Sequence, residues 1–202
     1  MGSVSGDVVI EDSYRGKPVV SIGKSAFSRS RDITGITIGK NVTNIGENAF
    51  ANCLNLTAVT MSESVVSIGA KAFQSCSSLA EIQLPSGLAK IESYTFSYCR
   101  SLTDITIPDS VEEIGSYAFS SCQNLVNLFV PKTVTSFKTT YYSASGISNC
   151  PSITICCYKG SAAASYAISN SLTAWYMDNY KMQGINVAGL PEYTVVSTQG
   201  QG

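Results

Sequence analysis

Hydrophobic and polar positions along this chain fall in a pattern that returns every 23 residues. Ile22, Ile45, Ile68, Ile91 and Ile114 form one column, and Phe27, Phe50, Phe73, Phe96 and Phe119 a second. Cys53, Cys76, Cys99 and Cys122 form a third, and Leu56, Leu79, Leu102 and Leu125 a fourth. A fixed period in this range marks a solenoid, in which each unit buries its apolar side only against its neighbours. The stretch from Leu79 to Cys99 displays most of one unit, and the rest of the chain is organised around copies of it. Within a unit, Leu-x-x-Ile-x-Ile, as in Leu102-Thr-Asp-Ile105-Thr-Ile107, alternates apolar and polar residues and predicts one short strand per coil. Pro85, Pro108 and Pro131 follow and stop it, because proline has no N–H to continue a ladder. The column Gly23, Gly46, Gly69 and Gly115 predicts a backbone position with positive φ or tight approach. Glu92 in the same column indicates that glycine is not obligatory there. One unit alone would not fold, since ordering its backbone costs at least what its few buried side chains return.

Both ends depart from the repeat. Asp7-Val8-Val9-Ile10 reads as an N-terminal cap strand, followed by turn chemistry at Tyr14-Arg15-Gly16-Lys17-Pro18. In the sixth coil Phe137 replaces the isoleucine, Tyr141-Tyr142 stands where Ala-Phe belongs, and Cys150 arrives late, so an insertion is expected to bulge from one side. Ser161 followed by Ala162-Ala-Ala-Ser-Tyr-Ala-Ile168 predicts a short capped helix covering the open end. The resulting division is an N-terminal cap strand at 1–19, a solenoid of about six coils at 20–158, a C-terminal cap helix at 159–174, and a tail at 175–202 with edge strands and a polar end.

Composition narrows the function classes. A formal net charge of -1 and 13% charged residues leave no basic footprint for nucleic acid and no polybasic membrane patch. No apolar run reaches the roughly 18 residues that a membrane span needs. The opening Met1-Gly-Ser-Val-Ser-Gly6 lacks the charged and apolar regions of a signal peptide; it is expected to be a truncated start and says little about export. The chain has seven cysteines and no histidine. An odd count argues against a disulfide framework, and one thiol per coil makes a line rather than a tetrahedral cage. Buried, reduced thiols are therefore expected, with no metal and no cofactor. Cys156 and Cys157 belong to no column. Without histidine neither a Cys-His nor a Ser-His-Asp arrangement exists. Glu81 and Asp104, one coil apart, resemble a glycosidase carboxyl pair only in their number, because nothing in the sequence encloses them. No catalytic residue is assigned.

The units Ile45-Gly46-Glu-Asn-Ala49-Phe50-Ala-Asn-Cys53-Leu-Asn-Leu56 and Ile114-Gly115-Ser-Tyr-Ala118-Phe119-Ser-Ser-Cys122-Gln-Asn-Leu125 closely resemble the BspA-like leucine-rich repeat family, the treponemal type of the repeat. Gly16-Lys17-Pro18-Val19 and Lys159-Gly160-Ser161-Ala162-Ala163 are similar to that family's usual ends. The resemblance implies a curved leucine-rich repeat solenoid with a parallel β-sheet on the concave face, short strands or turns on the convex side and a short capping helix. It also implies a secreted or cell-surface protein that adheres to host matrix proteins, host cells or other bacteria, and it transfers no catalytic residues. One departure is that the asparagine expected eight residues after the first leucine is Ser64, Gly87, Ser110 and Thr133 here. The turn must be satisfied from another source.

In the strand pattern, the residues flanking the second apolar one point away from the core. They are Gly35/Thr37, Ala58/Thr60, Glu81/Gln83, Asp104/Thr106 and Asn127/Phe129. The candidate ligand face is accordingly Glu81, Gln83, Asp104, Thr106, Asn127 and Phe129. Its small, mostly uncharged groups favour a protein or glycan surface, without nucleic acid and without membrane insertion, and the resemblance implies that this partner is a host extracellular-matrix or cell-surface protein or glycan. Tyr141 and Tyr142 form a secondary candidate loop, although Tyr142, in the phenylalanine column, equally fills the core. The expected function is a non-enzymatic binding module; the alternative is a spacer or stalk presenting another domain of a longer surface protein. The oligomeric state stays open, because an uncapped end pairs readily with a second copy.

Overall fold

The structure, a computed structural model, describes residues 5–138 and 147–179. Strand β1 (Gly6–Ile10) opens the chain and leads to an antiparallel hairpin of β2 (Ser13–Tyr14) and β3 (Lys17–Pro18). Arg15 and Gly16 at its tip have φ of 50° and 75°, the pair of left-handed residues that a tight hairpin turn requires. Next come β4 (Ser21–Ile22), β5 (Ile33–Ile38), β6 (Asn44–Ile45), β7 (Ala58–Thr60) and β8 (Ser67–Ile68). The second half holds β9 (Lys90–Ile91), β10 (Asp104–Thr106), β11 (Glu113–Ile114), β12 (Asn127–Phe129), β13 (Ser136–Phe137) and β14 (Thr154–Cys157). Helix α1 (Ala162–Ser169) and β15 (Thr173–Tyr176) close it.

These elements wind into a solenoid of about 7 turns. The coils build two parallel sheets, the one at Glu81–Gln83 contributing to only one of them. One holds β1-β5-β7 and, further along, β10-β12-β14-β15; the other holds β4-β6-β8 and β9-β11-β13. The core between them is made by the repeat columns: Ile45, Phe50, Cys53 and Leu56 and their equivalents through Leu125 are all buried. The phenylalanine rings stack from coil to coil with centroids 5.3 to 5.7 Å apart and nearly parallel planes, an arrangement in which Phe50, Phe73 and Phe96 are each covered by a ring on both faces.

The third side of each coil is a turn with its own ladder. Ser25, Phe27 and Arg29 donate their N–H groups to Glu47, Ala49 and Ala51 of the next coil, while Ala26, Ser28 and Ser30 donate three residues back. This alternation requires a left-handed residue at every fourth position. Ser25, Asn48, Lys71, Tyr94 and Tyr117 have φ of 56° to 60°, and Arg29, Asn52, Ser75, Tyr98 and Ser121 of 60° to 66°. Positive φ thus falls in two columns that the sequence reading did not single out, and not in the glycine column. The glycines have the other cause: an added Cβ on Gly46, Gly69 or Gly115 would lie 2.5 to 2.7 Å from a backbone nitrogen of the preceding coil.

At two of the four positions a serine hydroxyl replaces the missing asparagine. Ser64 Oγ donates to the Val42 carbonyl at 2.8 Å and Ser110 Oγ to that of Leu88 at 2.6 Å. The cysteine column also does more than fill space. Cys53, Cys76, Cys99, Cys122 and Cys150 each donate Sγ–H to the carbonyl of Phe27, Phe50, Phe73, Phe96 and Phe119 at 3.1 to 3.2 Å. Cys150 therefore rejoins its column after the long sixth coil. All seven cysteines are free and buried.

At the C-terminal end Ser161 caps α1, its hydroxyl accepting from Ala164 N at 3.2 Å. The helix buries Ala163, Ala164, Tyr166 and Ala167. Tyr166 stacks on Phe137 with centroids 4.2 Å apart, closing the isoleucine column. One expectation fails in the middle: Glu81, Ile82 and Gln83 belong to no strand, although Leu79-x-x-Ile82-x-Leu84 carries the strand pattern and all three apolar residues are buried.

Candidate sheet-face binding site

The short strands of the longer sheet alternate in burial. Ala58–Thr60 and Asp104–Thr106 read exposed, buried, exposed, and Asn127–Phe129 reads half-buried, buried, half-buried. Strand geometry sends the first and third residue to the outer face, so parallel pairing sets two outer rows. The first runs Asp7, Gly35, Ala58, then Asp104, Asn127, Thr154, Thr173; the second runs Val9, Thr37, Thr60, then Thr106, Phe129, Cys156, Trp175. Asp104, Thr106, Asn127 and Phe129 are thereby neighbours on one face, in register. Asn127 Nδ2 donates to Asp104 Oδ1 at 2.6 Å. Glu81 and Gln83 are exposed between β7 and β10 and are not held in the ladder. Tyr141 and Tyr142 lie outside the described residues.

The structure adds members that the period alone did not reach. Thr154, Cys156, Thr173 and Trp175 extend both rows beyond Phe129. The sequence obscured them because β14 follows Ile153 one residue sooner than β12 follows Leu125, which shifts the strand out of the repeat. Cys156 and Cys157, successive residues of one strand, point to opposite faces. Cys156 is only 3% exposed despite its outer position, as befits a small side chain in register between Phe129 and Trp175. Burial first, with the charges of Cys157 and Asp104 adding, pushes its thiol up to about 12, which makes it inert as a nucleophile at neutral pH. The edge of the face is braced by Lys132, whose Nζ lies 4.5 Å above the Tyr158 ring and 3.7 Å from Asp178 Oδ1.

Chemically this face offers a hydroxyl-lined middle formed by Thr37, Thr60 and Thr106, a linked carboxylate and carboxamide, and an apolar aromatic end. Such a surface donates and accepts hydrogen bonds next to rings. Among the described residues no group of three or more His, Cys, Asp or Glu is placed to hold a metal ion, and no helix is long and apolar enough to cross a membrane. A shallow depression bordered by Gln123, Ser148, Asn149, Pro151 and Leu172 opens on another side; it has no acidic or basic side chain in its lining.

Residues 20–154 match, in six copies, the family described as the BspA type leucine rich repeat region. The chain is similar to the leucine rich repeat protein of T. pallidum, at 31% identity over 74% of this chain and 67% of that one, with a TM-score of 0.68. It is also similar to a leucine rich cell surface protein of Faecalibacterium prausnitzii, at 25% identity over 77% of this chain and 48% of that one, with a TM-score of 0.58. The chain thus spans about half the length of the Faecalibacterium protein. No curated protein matches the sequence.

Proposed function

The chain belongs to the BspA-type leucine-rich repeat family, and on that footing we propose that it is a non-enzymatic adhesion module of a bacterial surface protein, binding a host matrix or cell-surface protein or glycan through its longer sheet. The observation that carries this reading is the in-register patch in which the Asp104–Asn127 pair lies beside Phe129, Cys156 and Trp175. Hydrogen-bonding groups next to aromatic rings recur at protein contact sites and wherever sugar rings stack. The patch is built on strands whose backs are anchored in the core by Ile105, Leu128 and Ile155, all at most 2% exposed. Its side chains are therefore displayed by a rigid scaffold, and little ordering is left to be done on binding. The similarity to a cell surface protein supports the location.

Surface plasmon resonance against fibronectin, fibrinogen, laminin, mucin and host glycans tests the reading. Saturable binding is expected, and the triple substitution of Glu81, Asp104 and Phe129 by alanine is expected to weaken it at least about tenfold, as loss of a contact cluster does. Binding that survives the triple substitution unchanged in a folded protein would move the site off this sheet. No binding at all would favour the spacer reading.

A further inference from the structure

Both sheets are interrupted at the fourth coil, whose Glu81–Gln83 segment pairs with neither β7 nor β10. The shorter sheet pairs β4, β6 and β8, then starts again with β9, β11 and β13. The longer sheet runs to β7 and starts again at β10. On either side of the gap the coil-to-coil bonds are regular: Val66 N donates to Thr43 O, Gly69 N to Ile45 O, Glu112 N to Ala89 O and Gly115 N to Ile91 O, at 2.7 to 3.0 Å. The equivalent donors at the gap, Ala89 N and Glu92 N, make no such bond to Val66 O and Ile68 O among the described residues. The asparagine-like bond is missing here too, because the coil has Gly87 where its neighbours have Ser64 and Ser110.

The cause is one residue. Gly46, Gly69 and Gly115 sit so close to the preceding coil that a Cβ would come within 2.7 Å of its backbone. Real Cβ atoms do not approach that closely, so a side chain in this column must push the coils apart. Glu92 is that side chain, and the pairing is lost directly beneath it. Its carboxylate is turned aside to Lys90, 2.7 Å away. The third side of the coil stays fastened. Lys71, Phe73 and Ser75 donate to Ser93, Thr95 and Ser97 at 2.7 to 3.0 Å, Cys99 Sγ reaches Phe73 O, and the Phe73 and Phe96 rings remain parallel to within 1°. On the open sides a side-chain strap remains, in which Ser86 N and Oγ both donate to Glu63 Oε2, at 2.7 and 2.6 Å.

We propose that this boundary is a hinge: the coils up to Cys76 and those from Leu79 onward are two blocks that pivot on the phenylalanine and cysteine side and part on the sheet side, with Glu92 as the wedge. An element cut on two sides and joined on a third has one soft direction, and segments with few backbone bonds open at lower free energy than the rest. The inference stands whether or not the sheet face binds a ligand.

Native-state hydrogen exchange of the whole chain, read at single amides, tests it. Ala89 and Glu92 are expected to exchange at least about 100-fold faster than Val66, Gly69, Glu112 and Gly115, the difference between open and ladder-bonded amides. In Glu92→Gly the coils close, and both amides are expected to join the protected set. Protection of Ala89 and Glu92 in the wild type equal to that of their neighbours would overturn the hinge. Fast exchange that persists unchanged in folded Glu92→Gly would remove Glu92 as its cause and overturn the proposal in that form.

Discussion

Asn127 donates its side-chain N–H to the carboxylate of Asp104, one coil back, at 2.6 Å. The two are cross-strand neighbours in register, so the bond ties the outer face together without involving the core. Exposed pairs of this kind contribute roughly 0.2 to 1 kcal/mol. A double-mutant cycle with Asp104→Ala and Asn127→Ala, measured by urea denaturation, is expected to give a coupling in that range and to leave each single variant within about 1 kcal/mol of wild type. A larger loss would mean that these residues hold the fold rather than a ligand.

Two glycines in one column are expected to behave oppositely. Gly69→Ala would place a methyl group 2.6 Å from Glu47 N. The second and third coils must then separate, with a loss of about 2 kcal/mol or more, typical of overpacking with backbone shift. Gly23 belongs to the first coil, and a Cβ there meets nothing within 4 Å. Gly23→Ala should be neutral or stabilising by up to about 1 kcal/mol, since it only restricts the unfolded chain. Equal effects in chemical denaturation would contradict the stacking geometry.

The thiols make the protein sensitive to alkali. Burial pushes Cys53, Cys150 and Cys157 up to about 11 from a usual 9.0, and raises Cys76, Cys99 and Cys122 as well. A group that holds its proton more tightly when folded contributes stability that is complete below its unfolded pKa and declines as pH rises through the folded one. Between about pH 9 and 11 each such thiol should cost up to about 1.4 kcal/mol per pH unit. Urea denaturation across this range is expected to show the decline, and Cys53→Ala to flatten it by one thiol's share. At pH 8 the native protein should resist thiol reagents that label all seven cysteines after unfolding; rapid native labelling would refute the burial.

Much of this architecture was legible because a solenoid repeats its own contacts. Once Ile45, Phe50, Cys53 and Leu56 recur at constant spacing, the core follows, and the serine before the alanine-rich stretch announces the capping helix. The left-handed columns were not legible, since Lys71 and Tyr94 carry no preference for positive φ; there the inter-coil ladder overrides the residue. Glu92 was visible as an exception in the glycine column, yet its effect needed the approach of two backbones to be known. Of the candidate face, Asp104, Thr106, Asn127 and Phe129 were found by alternation alone. Trp175 was not, because no repeat reaches it and only strand pairing brings it into line.

The thiol-to-carbonyl bonds have a consequence at the level of the gene. On the thiol side every coil receives from the one before it the same groups that it hands to the one after, so on that side the junctions from Cys53 to Cys150 are chemically equivalent. A 23-residue segment can then be duplicated or lost by unequal crossing-over without leaving an orphaned surface inside. Losing residues 79–101 as one piece would remove Glu92 and set Gly115 over Gly69, leaving a shorter protein that is continuous on all sides. Coil number is thus free to vary by inheritance, while the composition of each coil is held by its neighbours.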